Sequence, residues 1–90
     1  MKYEIADEFK MFKGVKFFRI KALKDFAGVK KGDFGGYLES EKNLTQNGDA
    51  WVAGNARVFG NARVFGNARV FGNARVSGDA WVFGNARVSD

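Results

Sequence analysis

The chain has 90 residues, a formal net charge of +5, 12 glycines and no His, Cys or Pro. This length predicts one domain or one domain with a cap. The composition excludes disulfides and thiolate metal sites, and no apolar stretch approaches the roughly 18 residues of a membrane span.

The N-terminal residues, MKYEIADEFK, have acidic side chains and no apolar core of a signal peptide. We therefore expect a cytoplasmic protein. Lys16–Lys24 mixes aromatic and β-branched residues with basic ones, which predicts a strand. Glu8–Lys13 is the expected hairpin partner, with Gly14 at the turn. A short amphipathic helix over Ile5–Phe12 is the alternative.

Residues 28–36, GVKKGDFGG, predict a loop between strands. Tyr37 and Leu38 are expected to begin a first, irregular coil that Leu44 continues. Phenylalanines of the N-terminal half are expected to cover the open end of this coil, as terminal repeats in such proteins need. Residues 1–45 are therefore predicted to form an N-terminal cap with the hairpin and this first irregular coil, and residues 46–90 the hexapeptide-repeat β-solenoid.

From Val52 the chain repeats in hexads as VAGNAR, VFGNAR three times, VSGDAW, VFGNAR and VSD. Within Ala-Arg-Val the side chains alternate with a period of two, as in a strand. Gly-Asn or Gly-Asp then provides a bend, because both tolerate left-handed dihedrals. Three hexads close one triangular coil, with the Val and Ala positions facing inward. The fold class predicted is all-β, a short parallel β-helix of about two coils with an N-terminal hairpin-like cap.

The three-hexad period also predicts which side chains lie beside each other on adjacent coils, about 4.8 Å apart. The expected neighbours are Trp51 with Arg69, Arg69 with Arg87, Arg63 with Trp81, Arg57 with Arg75, and Phe65 with Phe83. A Trp beside an Arg replaces a like-charge pair by a cation–π contact. The two tryptophans are therefore either structural or part of a partner surface.

One aliphatic position followed four residues later by a small one resembles the left-handed β-helix of hexapeptide-repeat proteins. Residues 19–52 further resemble the start of bacterial and phage-associated β-solenoids that are labelled polymer-forming or putative transferase. The shared residues are Asp25-Phe26, Val29-Lys30, Gly32, Gly35-Gly36 before an aromatic, Asn43-Leu44, and Gln46 through Gly48-Asp49 to Trp51. The resemblance implies a left-handed solenoid.

Hexapeptide β-helices are best known from acyltransferases, which typically use a His as general base. This chain has neither His nor Cys, and paired catalytic carboxylates are not evident. We therefore expect a protein that is not an enzyme and needs no cofactor or metal.

The position after Val predicts four outward Phe side chains, and exposed apolar patches usually mark contacts. The alternative is that these rings pack along the corner onto the neighbouring coil. The predicted surface for self-association or a partner consists of Phe59, Phe65, Phe71, Phe83, Arg57, Arg75, Arg87, Trp51, Trp81 and Val88.

The last hexad stops at Asp90 without a polar cap, so its backbone edge is expected to invite another chain. One hypothesis is a self-associating module, phage- or mobile-element-associated, that forms a homodimer through its C-terminal coils. The other is a small inhibitor or adaptor whose Phe/Arg surface docks on a larger host protein or nucleoprotein. Nucleic acid is a further candidate partner, since Arg interleaved with Trp and Phe suits single strands.

Overall fold

A computed structural model describes all 90 residues. The chain begins with an antiparallel hairpin of β1 (Tyr3–Phe12) and β2 (Val15–Ala22). Lys13 and Gly14 have φ of 50° and 81°, which suits a two-residue turn of the primed type. The hairpin prediction is confirmed, although β1 starts well before Glu8. The alternative helix over residues 5–12 is wrong, because these residues pair across the sheet with β2.

The third strand, β3 (Phe34–Leu38), joins the hairpin to the repeats. It pairs antiparallel with β2 and parallel with β5 (Arg57–Val58). The loop predicted over residues 28–36 is therefore wrong for its last three residues. Gly35 and Gly36 suit a strand here because other backbone lies against them. A Cβ on Gly36 would come within 2.7 Å of the Ala56 carbonyl oxygen.

A 3₁₀ turn (Glu41–Asn43) precedes the repeats, which supply seven two-residue strands. These are β4 (Trp51–Val52), β5 (Arg57–Val58), β6 (Arg63–Val64), β7 (Arg69–Val70), β8 (Arg75–Val76), β9 (Trp81–Val82) and β10 (Arg87–Val88). No helix is long and apolar enough to cross a lipid bilayer. The all-β prediction is confirmed, and the left hand stays a prediction.

The short strands stack as three parallel walls. The first wall is β3-β5-β8, which continues the hairpin into one five-stranded sheet, and the second is β4-β7-β10. The third is β6-β9, to which Leu44 adds an isolated bridge through Val64. Tyr37 and Leu44 thus belong to a first coil, as predicted. That coil is slightly longer than the later ones, because Leu44 pairs with Val64 whereas Val52 pairs with Val70.

The predicted Val and Ala columns form the core, and Val52, Val58, Val64 and Val70 are completely buried. Tyr3, Ile20 and Leu38 of the N-terminal half belong to the same cluster. The predicted cap and repeat region therefore share one core. Ala80 and Ala86, which were predicted to face inward, are exposed. They lie in the outermost coil of the chain, residues 73–90, and no further coil covers them.

Candidate interaction surfaces of the solenoid

The corners of the coil separate the predicted phenylalanines. Because each hexad forms one side of a triangle, residues one hexad apart lie on different corners, and only residues three hexads apart share one. Phe65 and Phe83 share a corner and stack with ring centroids 5.3 Å apart and planes 9° apart. Phe59 and Phe71 lie on the other two corners. The single Phe/Arg surface expected from the sequence is therefore three separate surfaces.

The first surface combines Phe65 and Phe83 with Trp81. The Trp81 ring meets Phe65 edge-to-face at 5.9 Å, and its backbone pairs with Arg63. Trp81 is 62% exposed and Phe83 is 55% exposed. This aromatic cluster is the most open apolar part of the repeat region, and it lies beside the outermost coil.

Trp51 occupies the same repeat position as Trp81 but is 3% exposed. Its ring meets Tyr3 edge-to-face at 6.4 Å and Phe26 at 5.3 Å. Trp51 pairs with Arg69 as predicted. Its prediction as a partner contact is wrong, because the N-terminal residues cover it within the chain.

The second surface is the wall of Arg69 and Arg87, which pair on adjacent strands as predicted. Together with Ala27 and Phe71 they line an open cleft of about 390 Å³. The guanidinium of Arg69 donates to the Ala27 carbonyl, whereas Arg87 is exposed. Val88, predicted as an association residue, lies at the outer end of this wall and is partly buried against the core.

The third surface is formed where the hairpin leans on the β5–β8 wall. Phe59 packs edge-to-face on Phe17 at 5.2 Å. The guanidinium of Arg57 lies 5.0 Å from the centre of the Phe12 ring, and that of Arg75 lies 5.6 Å from it. The hairpin's share in this surface was missed from the sequence, although alternation along β1 places Lys10 and Phe12 on one face.

The N-terminal residues close the first coil with buried polar groups. The Lys2 ammonium donates to the Ala50 carbonyl at 2.6 Å, and the Gln46 side chain accepts from the Lys2 amide at 2.8 Å. Burial lowers the pKa of Lys2 to about 8, although the charge of Asp49 opposes this change. Burial, together with the charge of Glu41, raises the pKa of Tyr3 well above its ordinary value.

The repeat strands match a known family of β-solenoids. The family model described as YdcK beta solenoid repeat matches residues 50–70, 62–78 and 68–84. Together these matches span residues 50–84 and are consistent with a bacterial β-solenoid repeat family. The match confirms the resemblance to β-solenoid repeat proteins that the hexads indicated. It covers β4 through β9, and thus includes Trp81 but not the hairpin. No curated protein matches the chain.

Proposed function

We propose that this 90-residue chain is a non-enzymatic, self-associating module that forms a homodimer through its outermost coil, residues 73–90. The exposed backbone edge of that coil is the observation that carries the proposal. A lack of His and Cys in the sequence supports a role without catalysis. The cytoplasmic location and the association with phage or mobile elements stay predictions.

The direction of the hydrogen bonds between coils determines what this edge offers. Amides of each coil donate to carbonyls of the coil that follows, as in Arg57 to Ala74 and Arg63 to Ala80. The corresponding amides of the outermost coil have no such carbonyl to donate to. They belong to Arg75, Ser77, Asp79, Trp81, Phe83, Asn85, Arg87 and Ser89.

The geometry of these strands suits a second copy related by a two-fold axis. Within a strand the N–H and C=O of one residue point to the same side, so Arg75, Trp81 and Arg87 each offer both groups at the edge. An antiparallel pair of residues exchanges such groups reciprocally. A two-fold axis across the edge brings identical coils together in this antiparallel sense.

The end of the core supports the same contact. Ala80 and Ala86 are exposed, and Val82 is 8% exposed although the equivalent Val64 is fully buried. Covering these side chains with a second copy removes apolar area from water, which stabilises the dimer by about 25 cal/mol for each Å² buried. The edge therefore combines unpaired backbone groups with an uncovered apolar centre.

The experiment is mass determination by light scattering over a concentration series, with a protomer of 10.0 kDa. We expect a dimer that dissociates on dilution. Ala86→Lys places a charge at the exposed end and should give a monomer. Asn67→Lys adds the same charge at an exposed corner of the inner coil and should leave the dimer intact. A wild-type monomer at every concentration would contradict the proposal.

A second candidate function is a small inhibitor or adaptor that docks on a larger host protein or nucleoprotein. The exposed cluster of Phe65, Trp81 and Phe83 favours it, because aromatic residues dominate binding hot spots. Phe71→Ser changes a separate corner and is the matched control for Phe83→Ser. The adaptor hypothesis predicts that Phe83→Ser loses a defined host partner, whereas the oligomeric state measured by light scattering stays that of the wild type.

A further inference from the structure

A groove runs between the distal half of the hairpin and the β5–β8 wall. It consists of two adjoining cavities of about 270 and 290 Å³ that share Arg57 and Arg75. Phe12, Phe17 and Phe59 line the first, and Tyr37 lies in the second. The groove is on the side of the solenoid, and it adjoins the outermost coil because Arg75 belongs to both: its side chain lines the groove, whereas its backbone lies at the edge proposed for self-association.

Four cations point into this groove. Lys10 lies 5.1 Å from the centre of the Tyr37 ring and Lys13 lies 5.5 Å from that of Phe12. Arg57 contacts both Phe12 and Phe17, and Arg75 contacts Phe12. No Asp or Glu lines either cavity. The groove is therefore strongly positive, and each of its cations lies against an aromatic ring.

The two arginines are unusual because they are stacked and lack acceptors. Arg57 and Arg75 are directly opposite each other on neighbouring strands, an arrangement that is destabilising for like charges. Neither guanidinium forms a hydrogen bond, and the one ion pair of the chain joins Arg19 to Glu8. Because a guanidinium carries five donors in a planar fork, this pair is prepared to bind an anion.

We infer that the groove binds single-stranded nucleic acid, with the backbone phosphates on the cations and bases against the exposed part of the Phe12 ring and the guanidinium planes. A positive groove with interleaved rings is the usual surface for single strands, since every base offers a π-face. Phe12 is 40% exposed, which leaves part of its ring open to a base. An acidic peptide would satisfy the cations but would leave these planes without a partner.

The test is fluorescence anisotropy of a labelled oligothymidine of about 12 nucleotides with the full chain. We expect binding that weakens steeply with salt, because phosphate contacts release counterions. Arg75→Gln should weaken binding at least about fivefold. It should also reduce the slope of log affinity against log salt concentration by about one, the value of one phosphate contact. Arg63→Gln removes the same charge from another wall and should change the affinity less than about twofold.

The hairpin provides a second, independent pair of variants. Lys10→Gln with Lys13→Gln should weaken binding about tenfold or more, whereas Lys30→Gln with Lys31→Gln removes two charges from the loop after β2 and should not. All four lysines are exposed, so circular dichroism should show folded variants. Equal losses in both pairs, no binding at low salt, or tighter binding of a labelled oligoglutamate would overturn the inference.

Discussion

The hydroxyl of Tyr3 donates a hydrogen bond of 2.5 Å to the carbonyl oxygen of Leu44. The same hydroxyl lies 3.2 Å from the Glu41 carbonyl oxygen. Tyr3 is completely buried, and its ring meets Trp51 edge-to-face. Tyr3 therefore stabilises the first coil through these hydrogen bonds, and it shields the outward-facing ring of Trp51 from solvent.

Tyr3→Phe should destabilise the fold by about 1–2 kcal/mol, because it leaves the Leu44 carbonyl without this donor in a buried place. Chemical denaturation monitored by circular dichroism measures the change. Tyr37→Phe is the matched control, since Tyr37 is also buried but its hydroxyl forms no hydrogen bond within the chain. Equal losses for the two variants would argue against the role of the Tyr3 hydroxyl.

The pH dependence of stability should show the buried Lys2. Its pKa is about 8 in the folded chain and about 10.4 in an unfolded one. Between these values the unfolded chain binds more protons, so the free energy of unfolding should rise with pH. Denaturation series at several pH values measure this slope.

Two variants separate the contribution of Lys2 from those of other groups. Lys2→Met should remove the rise above pH 8, whereas Lys30→Met, at an exposed position, should keep it. Above about pH 10 the stability should fall again, because the raised pKa of Tyr3 keeps its hydroxyl protonated only in the folded state. A rise that persists in Lys2→Met would show that another group causes it.

Gly36→Ala should prevent folding or cost several kcal/mol. The added Cβ would lie 2.7 Å from both the Ala56 carbonyl oxygen and a Val52 methyl group. Gly78→Ala is the control, since its Cβ meets nothing within 4 Å but its φ is +68°. That variant should lose only the roughly 1–2 kcal/mol of left-handed backbone strain. Thermal unfolding compares them, and similar melting temperatures would contradict the close approach at β3.

Fluorescence should distinguish the two tryptophans. Trp51→Phe leaves the exposed Trp81, whose emission should be red-shifted and readily quenched by iodide. Trp81→Phe leaves the buried Trp51, which should be protected. If the proposed dimer forms, quenching of Trp81 should decrease as protein concentration rises, whereas that of Trp51 should stay constant. Constant quenching of Trp81 would contradict burial of the outermost coil.

The repeat region could be predicted almost completely from sequence, because its contacts are periodic. The pairs Trp51–Arg69 and Arg57–Arg75 follow from a spacing of three hexads and are confirmed. The burial of Trp51 could not be predicted in this way. It depends on Tyr3, which lies near the start of the chain in a segment without repeats. Likewise, Gly35 and Gly36 indicate a loop by composition, and only the backbone packed against them explains a strand.

The third surface shows the same difference. Arg57 and Arg75 were predicted to be neighbours, but their contacts with Phe12 depend on how the hairpin leans on the wall. Local propensity specifies the hairpin and periodicity specifies the wall. Neither specifies the angle between them, which β3 sets by pairing with β2 on one side and β5 on the other.

The triangular coil has a consequence for how such a chain changes in length. Insertion of three hexads adds one complete turn and extends every wall by one strand, so the outer edge keeps its orientation relative to the hairpin. Insertion of a single hexad instead rotates that edge by a third of a turn. The number of hexads therefore sets the angle between the hairpin and the outer edge, and two chains built from identical hexads but differing in their number can present differently oriented edges to a partner.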